Sequence, residues 1–216
     1  MNFGNIIRNL AEQRPVFHSE ADFQHSLAWE LHKQYPGSSI RLEKASEKAQ
    51  GISREEYNKR EYIDIQINIA GQIYFFELKY KTRKLQITDR NEKYNLSEQS
   101  ALPLGRYDFI KDITRLERFT RNKTDSIGFA IFLSNDEKYW EPQITNNTID
   151  SEFRIHESRE LKKELKWNAK ASKGTIRGRG KPLNLKNHYT LHWNDYSSFS
   201  QSGSNQFKYL LIRVSN

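Results

Sequence analysis

Apolar and polar residues alternate between Tyr62 and Lys84 in the way that is typical of two successive β-strands. In the first run, isoleucines occupy every second position from Ile63 to Ile69, and polar residues separate them. The second run, from Gln72 to Tyr80, is rich in aromatic and branched residues. Ala70 and Gly71 stand between the two runs and predict a tight turn. The segment therefore predicts a β-hairpin.

The two-residue turn fixes which residues of the hairpin face each other. Ile69 pairs with Gln72, and the same register places Asp64 opposite Glu77. Directly opposed side chains share one sheet face with Cβ atoms roughly 5 Å apart, and Lys79 follows on that face. The other face is apolar and carries Ile63, Ile65, Ile67, Tyr74, Phe76 and Leu78. Two opposed carboxylates repel each other, so the arrangement favours a divalent cation with oxygen ligands and a neighbouring ammonium.

Helical periodicity is found in three segments around this hairpin. Residues 3–13 predict a short helix with apolar side chains on one side. A second helix begins after Ser19, a favourable N-cap, and ends at Pro36-Gly37. A third pattern, from Arg106 to Arg121, is amphipathic. It follows a helix that Ser97 could cap and that Pro103-Leu104-Gly105 interrupts.

Further strands are predicted before and after the hairpin. Ser39 to Ala45 predicts the first strand, and residues 46–60 predict a loop. The run from Asp125 to Ser134 predicts a buried strand, parallel to the earlier sheet through the crossover helix. The segment after Lys84 is polar and predicts another loop. We therefore expect the order helix, three strands, helix, strand.

The last third of the chain carries weaker signals. Residues 157–170 predict a short basic helix built on Leu161, Leu165 and Trp167. Residues 173–181 predict a basic loop, and residues 189–193 and 207–214 predict terminal strands.

The element order, together with Asp64, twelve intervening residues and Glu77-Leu78-Lys79, resembles the PD-(D/E)XK nuclease superfamily. The resemblance covers roughly residues 15–135. It implies an α/β fold with a restriction-endonuclease-like core, in which helices flank a mixed central β-sheet in the order αβββαβ. A C-terminal α+β extension, about residues 136–216, completes a single domain. Ile63 stands where the family has proline, a position that binds no ligand.

The resemblance also implies an activity, namely hydrolysis of phosphodiester bonds by a nuclease that depends on Mg²⁺ or Mn²⁺. It implies that Asp64, Glu77 and the carbonyl of Leu78 bind the metal ion. Lys79 would orient or help deprotonate the attacking water and stabilise negative charge on the phosphate. Expected substrates are nucleic acids, DNA before RNA. Attack on the ends or on the interior of a strand stays open.

An acidic residue on the helix before the sheet completes the implied site. Glu20 lies in the first turn of the second helix, on the same side as Phe23 and Leu27, so it faces inward. Many members of the resembled superfamily carry an acidic residue there, and Glu20 would hold a metal-bound water or a second ion. Stabilisation of the helix dipole explains a carboxylate at this position equally well. Glu43 is the alternative contributor.

The charge of the chain agrees with a polyanionic partner. The net charge is +8, from 35 Lys and Arg against 27 Asp and Glu, which favours nucleic acid as the partner. The expected contacts with nucleic acid come from the exit of the hairpin and from the basic loop: Lys81, Arg83, Lys84, Lys173, Arg177, Arg179 and Lys181.

Three further expectations follow from composition. The chain has no cysteine, which excludes disulfides and thiolate zinc sites and fits a reducing cytoplasm. No stretch is long and apolar enough for a membrane span, so no membrane partner is expected. A homodimer stays open.

Two other functions are weighed against the nuclease. One is a nucleic-acid-binding or assembly protein that keeps a nuclease-like fold without activity. The other is a basic protein that binds a protein partner or anionic lipid. The complete set of Asp64, Glu77 and Lys79 argues against a decayed active site.

Overall fold

Three α-helices and twelve β-strands are formed by the residues that the computed structural model describes, namely 1–45, 61–99, 101–123, 125–142, 148–199 and 205–215. The helices are α1 (Phe3–Gln13), α2 (Glu20–Gln34) and α3 (Leu102–Asn122). The strands are β1 (Ser39–Ala45), β2 (Tyr62–Ile69), β3 (Gln72–Lys81), β4 (Leu85–Asp89), β5 (Glu92–Leu96), β6 (Ser126–Ser134), β7 (Glu160–Leu161), β8 (Glu164–Leu165), β9 (Leu183–Asn184), β10 (Tyr189–Thr190), β11 (Trp193–Ser198) and β12 (Gln206–Val214). The loop predicted over residues 46–60 lies outside this description.

A mixed six-stranded sheet forms the centre of the fold, in the order β1-β2-β3-β6-β12-β11. Only β3 and β6 are parallel, and α3 connects them. The parallel pairing through a crossover helix is therefore confirmed, as is the α/β class with a mixed sheet. The C-terminal strands β11 and β12 extend this same sheet, because β12 pairs with β6.

The predicted hairpin is confirmed, and so is its register between the turn and Ile65. Ile69 pairs with Gln72, and the ladder continues to the pair Ile65–Phe76 but does not include the predicted pair Asp64–Glu77. Ala70 has φ 50° and Gly71 has φ 91°, the left-handed conformations that a tight two-residue hairpin turn requires.

Successive side chains of β3 and β6 point to opposite faces of the sheet, and a hydrophobic core lies on each face. Tyr74, Phe76 and Leu78 pack with α1 and α2 in the first core. Phe75 packs with α3 in the second core, where it contacts Phe119. Because helices cover both faces, the central strands are buried on both sides, as expected for a sheet with parallel pairing.

The expectation that residues 103–105 interrupt a helix was wrong. Helix α3 runs unbroken from Leu102, with Pro103 in its first turn, where a missing N–H costs nothing. Gly105 lies inside the helix against Tyr139, and a Cβ there would be 2.7 Å from the Tyr139 hydroxyl oxygen. This glycine permits close packing rather than ending the helix.

Two further expectations were wrong. Residues 157–170 form no helix. The buried Leu161 and Leu165 end the short strands β7 and β8 instead, and Lys163 between them has φ 61°. The segment after Lys84 is not a plain loop, since β4 and β5 pair there around Arg90 and Asn91. Both of these residues have positive φ, a turn signal that their sequence only hints at.

Among the described residues, none of the helices has the length and apolar character needed to cross a membrane.

Candidate active site

The site begins where β2 separates from β3. Regular pairing between these strands stops at Ile65–Phe76, one step before Asp64 would face Glu77. Ile65 belongs to the core under α1 and α2, whereas Ile63 belongs to the core under α3. The expectation that Ile63 shares a face with Ile65 was therefore wrong. On β1, Glu43 has φ 47° at the same level, and the pairing of β1 with β2 skips Glu43 and Asp64 before it resumes at Lys44–Ile63.

Carboxylates take the place of the missing strand along this edge of β3. The Leu78 N–H donates to Asp64 Oδ2 at 2.6 Å, and the Tyr80 N–H donates to Glu20 Oε2 at 2.8 Å. The carbonyl and the N–H of one residue point to the same edge of a strand, so the Leu78 carbonyl faces this side too. Lys79 Nζ donates to that carbonyl at 3.1 Å. Asp64, Glu20, Lys79 and the Leu78 backbone thus meet at one place.

Helix α3 closes the cluster from the other side of β3. Arg115 donates to both carboxylate oxygens of Glu77, from Nε to Oε1 at 2.8 Å and from Nη2 to Oε2. Asp112 Oδ2 lies 2.6 Å from Lys79 Nζ, and Asp112 Oδ1 lies 3.0 Å from Arg115 Nη2. The Glu77 side chain has no exposed surface. In this arrangement every charged group on the α3 side has an oppositely charged neighbour.

Burial and crowding change the protonation equilibria of the cluster. Burial raises the pKa of Asp64 to about 6, although Lys79 and the Leu78 N–H act in the opposite direction. Burial also raises the pKa of Glu77 well above its usual value; Arg115 opposes this rise, and Asp112 and Asp64 add to it. For Lys79, burial lowers the pKa, but Asp112 and Glu20 outweigh burial, so the ammonium keeps its proton.

Three residues of the cluster were not predicted from the sequence to belong to the site. Asp112 and Arg115 lie on α3 with Asp108, at helical spacing beside the apolar stripe, and that spacing is the signal that could have found them. Gln24 lies one turn after Glu20 on α2 and donates to Glu43 Oε1 and to the Asp64 carbonyl, both at 2.7 Å. Glu43 therefore supports the Asp64 backbone through Gln24.

The donor chemistry of this edge fits a hard divalent cation, which prefers carboxylate and carbonyl oxygens. Asp64 uses only Oδ2 and Glu20 only Oε2 in hydrogen bonds among the described residues. Glu77 has no free oxygen while Arg115 holds it. Over the part of the chain that the structure describes, no group of three or more His, Cys, Asp or Glu side chains is arranged to hold a metal ion.

The expected nucleic-acid contacts after β3 lie close to the cluster. Lys81 follows Lys79 on the same face of β3 and lines a pocket of about 390 Å³ with Gln99, Leu104, Asp108 and Arg179. The remaining two residues lie at the exit of the strand: Arg83, which contacts Glu137 Oε1 at 3.3 Å, and the exposed Lys84.

The basic loop is anchored to the same helix. Arg179 donates from Nε and Nη2 to the two oxygens of Asp108 at 2.7 and 2.8 Å, one turn before Asp112. Arg179 therefore has a carboxylate partner within the protein, and its contact with nucleic acid stays a prediction. Lys173, Arg177 and Lys181 are exposed on this loop. The basic loop, residues 173–181, thus lies beside the pocket and presents cations to solvent.

Comparisons with known proteins give no family for this chain: no family model matches it, and neither a curated protein nor a solved structure does.

Proposed function

We propose that this chain is a metal-dependent nuclease of the restriction-endonuclease-like fold that hydrolyses phosphodiester bonds in DNA. The observation that carries the proposal is the split between β2 and β3. It brings Asp64, Glu20 and Lys79 to the edge where the Leu78 backbone has no backbone partner on β2. The element order from α2 to β6 supports the fold assignment, with the β4–β5 hairpin as an insertion between β3 and α3.

Asp64, Glu77 and the Leu78 carbonyl would hold Mg²⁺ or Mn²⁺, with Glu20 beside them. When bound, the ion would supply positive charge at the phosphate and lower the pKa of a coordinated water. The charge of the cluster supports this assignment. Glu20, Asp64, Glu77 and Asp112 carry four negative charges when ionised, against two positive charges on Lys79 and Arg115. The difference of two charges is what one divalent cation would neutralise.

Lys79 would act as a positional and electrostatic group. An ammonium has no lone pair and cannot bind a cation, so Lys79 would orient a water for attack and offset charge that grows on the phosphate. Asp112 holds its Nζ at 2.6 Å. This ion pair keeps the lysine protonated and fixes the orientation of its ammonium group. A fixed ammonium group would stabilise the transition state of cleavage more than it would strengthen binding of the substrate.

The substrate would be held by the basic surface beside the cluster. Lys81 and Arg179 at the pocket lie next to the basic loop, on the same side of β3 as Asp112. These cations supply contacts with the nucleic-acid backbone, which carry most of the affinity but no sequence preference.

The test is cleavage of supercoiled, linear and single-stranded DNA and of RNA, with Mg²⁺, with Mn²⁺ and with chelator. We expect cleavage only with metal ions. Lys79→Ala should slow single-turnover cleavage roughly 100-fold or more, as loss of comparable electrostatic donors does, with binding of Mn²⁺ and DNA nearly intact. Glu77→Ala should weaken Mn²⁺ binding and, through it, cleavage.

Lys208→Ala is the matched control for Lys79→Ala. Lys208 is also a lysine on a central strand with a carboxylate partner, Asp195, at 3.2 Å, but it lies on β12, outside the cluster. The Lys208→Ala variant should cleave at the wild-type rate. Wild-type cleavage by Lys79→Ala at saturating Mn²⁺ would remove the nuclease assignment of this motif.

One observation favours a second candidate, a catalytically inactive nuclease-like protein that binds nucleic acid or assists assembly. Arg115 occupies both oxygens of Glu77, which an active site needs for its metal ion. If the wild-type chain binds DNA but neither Mn²⁺ nor chelator changes any substrate, this second function is the better description.

A further inference from the structure

Arg115 and a metal ion would need the same oxygens. The two nitrogens of its guanidinium group bind Oε1 and Oε2 of Glu77, whose side chain has no exposed surface. No other group among the described residues binds that carboxylate. Because the Glu77 side chain has no exposed surface, a cation can reach its oxygens only if neighbouring groups move, and Arg115 is the group that contacts both of them.

A second partner for Arg115 is already in place. Asp112 lies one turn earlier on α3, and its Oδ1 is 3.0 Å from Arg115 Nη2. Asp112 also holds Lys79 through Oδ2 at 2.6 Å, so it connects the two cations of the cluster. An arginine that leaves Glu77 would keep this contact and stay at the site, with its other N–H groups free. The Arg115 side chain is 17% exposed, whereas that of Glu77 is wholly buried.

We propose that Arg115 is a substrate-binding residue that exchanges partners, from Glu77 in the metal-free protein to the phosphodiester in the loaded one. This inference rests on the proposed function. Binding of a divalent cation by Glu77 would release the guanidinium group, and its planar pair of N–H donors matches two oxygens of a phosphate. The exchange conserves charge pairing, because the cation replaces Arg115 at the carboxylate while the phosphate replaces the carboxylate at Arg115.

The exchange predicts effects of opposite sign on metal binding and on cleavage. Arg115→Ala removes the competitor for Glu77, so the Kd of Mn²⁺ without nucleic acid should fall roughly tenfold, the effect of 1.4 kcal/mol. Single-turnover cleavage at saturating Mn²⁺ should become about 100-fold slower, because a donor to the phosphate is lost. Mn²⁺ binding is measured on the whole chain by titration calorimetry or by the electron paramagnetic resonance signal of free Mn²⁺.

Arg118→Ala is the matched control. Arg118 is three residues further along α3 and pairs with Glu61, outside the cluster. The Arg118→Ala variant should change neither the Kd of Mn²⁺ nor the rate of single-turnover cleavage. Arg115→Lys keeps the charge without the planar pair of donors and should give intermediate values. It also covers the case in which Arg115→Ala does not fold. Added guanidinium ion should restore part of the cleavage by Arg115→Ala.

The outcomes separate this inference from the function it rests on. Weaker Mn²⁺ binding by both Arg115 variants would mean that the arginine orients Glu77, and it would overturn the exchange. Wild-type cleavage by Arg115→Ala would overturn it as well. In both cases the nuclease activity itself would stand. A wild-type chain that neither binds Mn²⁺ nor cleaves would overturn the proposed function and the exchange together.

Discussion

Two buried charge clusters on α3 differ in how they are balanced. Near the start of the helix, Arg106 and Asp150 form a pair at 2.6 Å, each with 4% of its side chain exposed, and Arg106 also donates to the Lys138 carbonyl at 2.6 Å. Within this ion pair one positive charge meets one negative charge, and the buried Arg154 also lies close enough to Asp150 and Arg106 to interact with their charges. Two turns further on, the candidate active site assembles more carboxylates than cations around Asp112 and Arg115.

Another buried carboxylate on the same helix shows how a purely structural acid is satisfied. Glu117 accepts hydrogen bonds from the N–H groups of Lys186 and Asn187 and from the Tyr189 hydroxyl, at 2.9 to 3.1 Å. These neutral donors hold the chain segment before β10 in place, and both oxygens of the Glu117 carboxylate accept hydrogen bonds. Where burial serves stability, α3 neutralises or satisfies each charge within the protein. The excess of carboxylates near Glu77 is the feature that the proposed metal ion would explain.

The largest change in stability is expected from breaking the ion pair between Arg106 and Asp150. Asp150→Ala leaves Arg106 buried without its partner, so the free energy of unfolding should fall by about 3–5 kcal/mol. Added Mn²⁺ should not restore it. Urea denaturation with and without metal measures the change. Asp108→Ala is the control, because its pair with Arg179 is about one third exposed and such pairs contribute up to about 1 kcal/mol. Equal losses for both variants would contradict the distinction between the clusters.

The second effect has the opposite sign and concerns the unbalanced cluster. The pKa of Asp64 is raised from 3.8 to about 6 in the folded chain, so its ionisation weakens the fold as pH rises between these values. Asp64→Asn keeps an oxygen for the Leu78 N–H without the charge. At pH 7.5 in chelator the variant should be more stable than wild type, by about 1–3 kcal/mol at most.

A comparison of Asp64→Asn with wild type at low pH provides the control for this prediction. Well below pH 3.8 the wild-type carboxyl is protonated in both states, so the part of the stability difference that comes from its charge should disappear there. Urea midpoints at both pH values measure it. A variant that is less stable than wild type at pH 7.5 would mean that Asp64 is a structural acid like Glu117. Mn²⁺ should reverse the order at pH 7.5, because the ion stabilises only the chain that binds it.

The smallest effect concerns charges that belong to neither cluster. Lys173 and Arg177 are exposed on the basic loop, and changing both to Ala should reduce the slope of log K for duplex DNA against log salt by up to about 1.8, or 0.9 per lost phosphate contact. Fluorescence anisotropy at several salt concentrations measures the slope. Arg8 and Arg121, exposed elsewhere on α1 and α3, provide the matched double control. An unchanged slope would exclude Lys173 and Arg177 as phosphate contacts.

The sequence predicted the local parts of this structure well. The Ala70-Gly71 turn and the alternation of isoleucines determine the register of β2 and β3, because each depends only on neighbouring residues. The Ser19 cap of α2 is local in the same sense, and its Oγ accepts from the Asp22 N–H at 3.1 Å. Asp64 and Lys79 could be placed near each other from the hairpin alone, whereas Glu20 was added through the resemblance to the nuclease superfamily.

What the sequence did not predict depends on packing between distant segments. Arg115 follows Glu77 by 38 positions, and nothing near either residue indicates that they meet. Leu161 and Leu165 have helical spacing, yet each packs from a two-residue strand whose partner comes from β10 or β9. A spacing of four residues fits one turn of helix and also two short strands, so tertiary contacts decide between them.

The position of β12 has a consequence for how the chain folds during synthesis. Strand β6, buried along almost its whole length, is complete at Ser134, but its second edge is covered only by β12, from Gln206 onward. Ribosomes add about 5–20 residues per second, so this apolar edge stays open for several seconds in the nascent chain. Open edges of this kind invite pairing with other chains. A chain truncated before residue 206 should therefore aggregate, and deletion of β12 should stop accumulation of soluble protein even though every residue of the candidate site is still present.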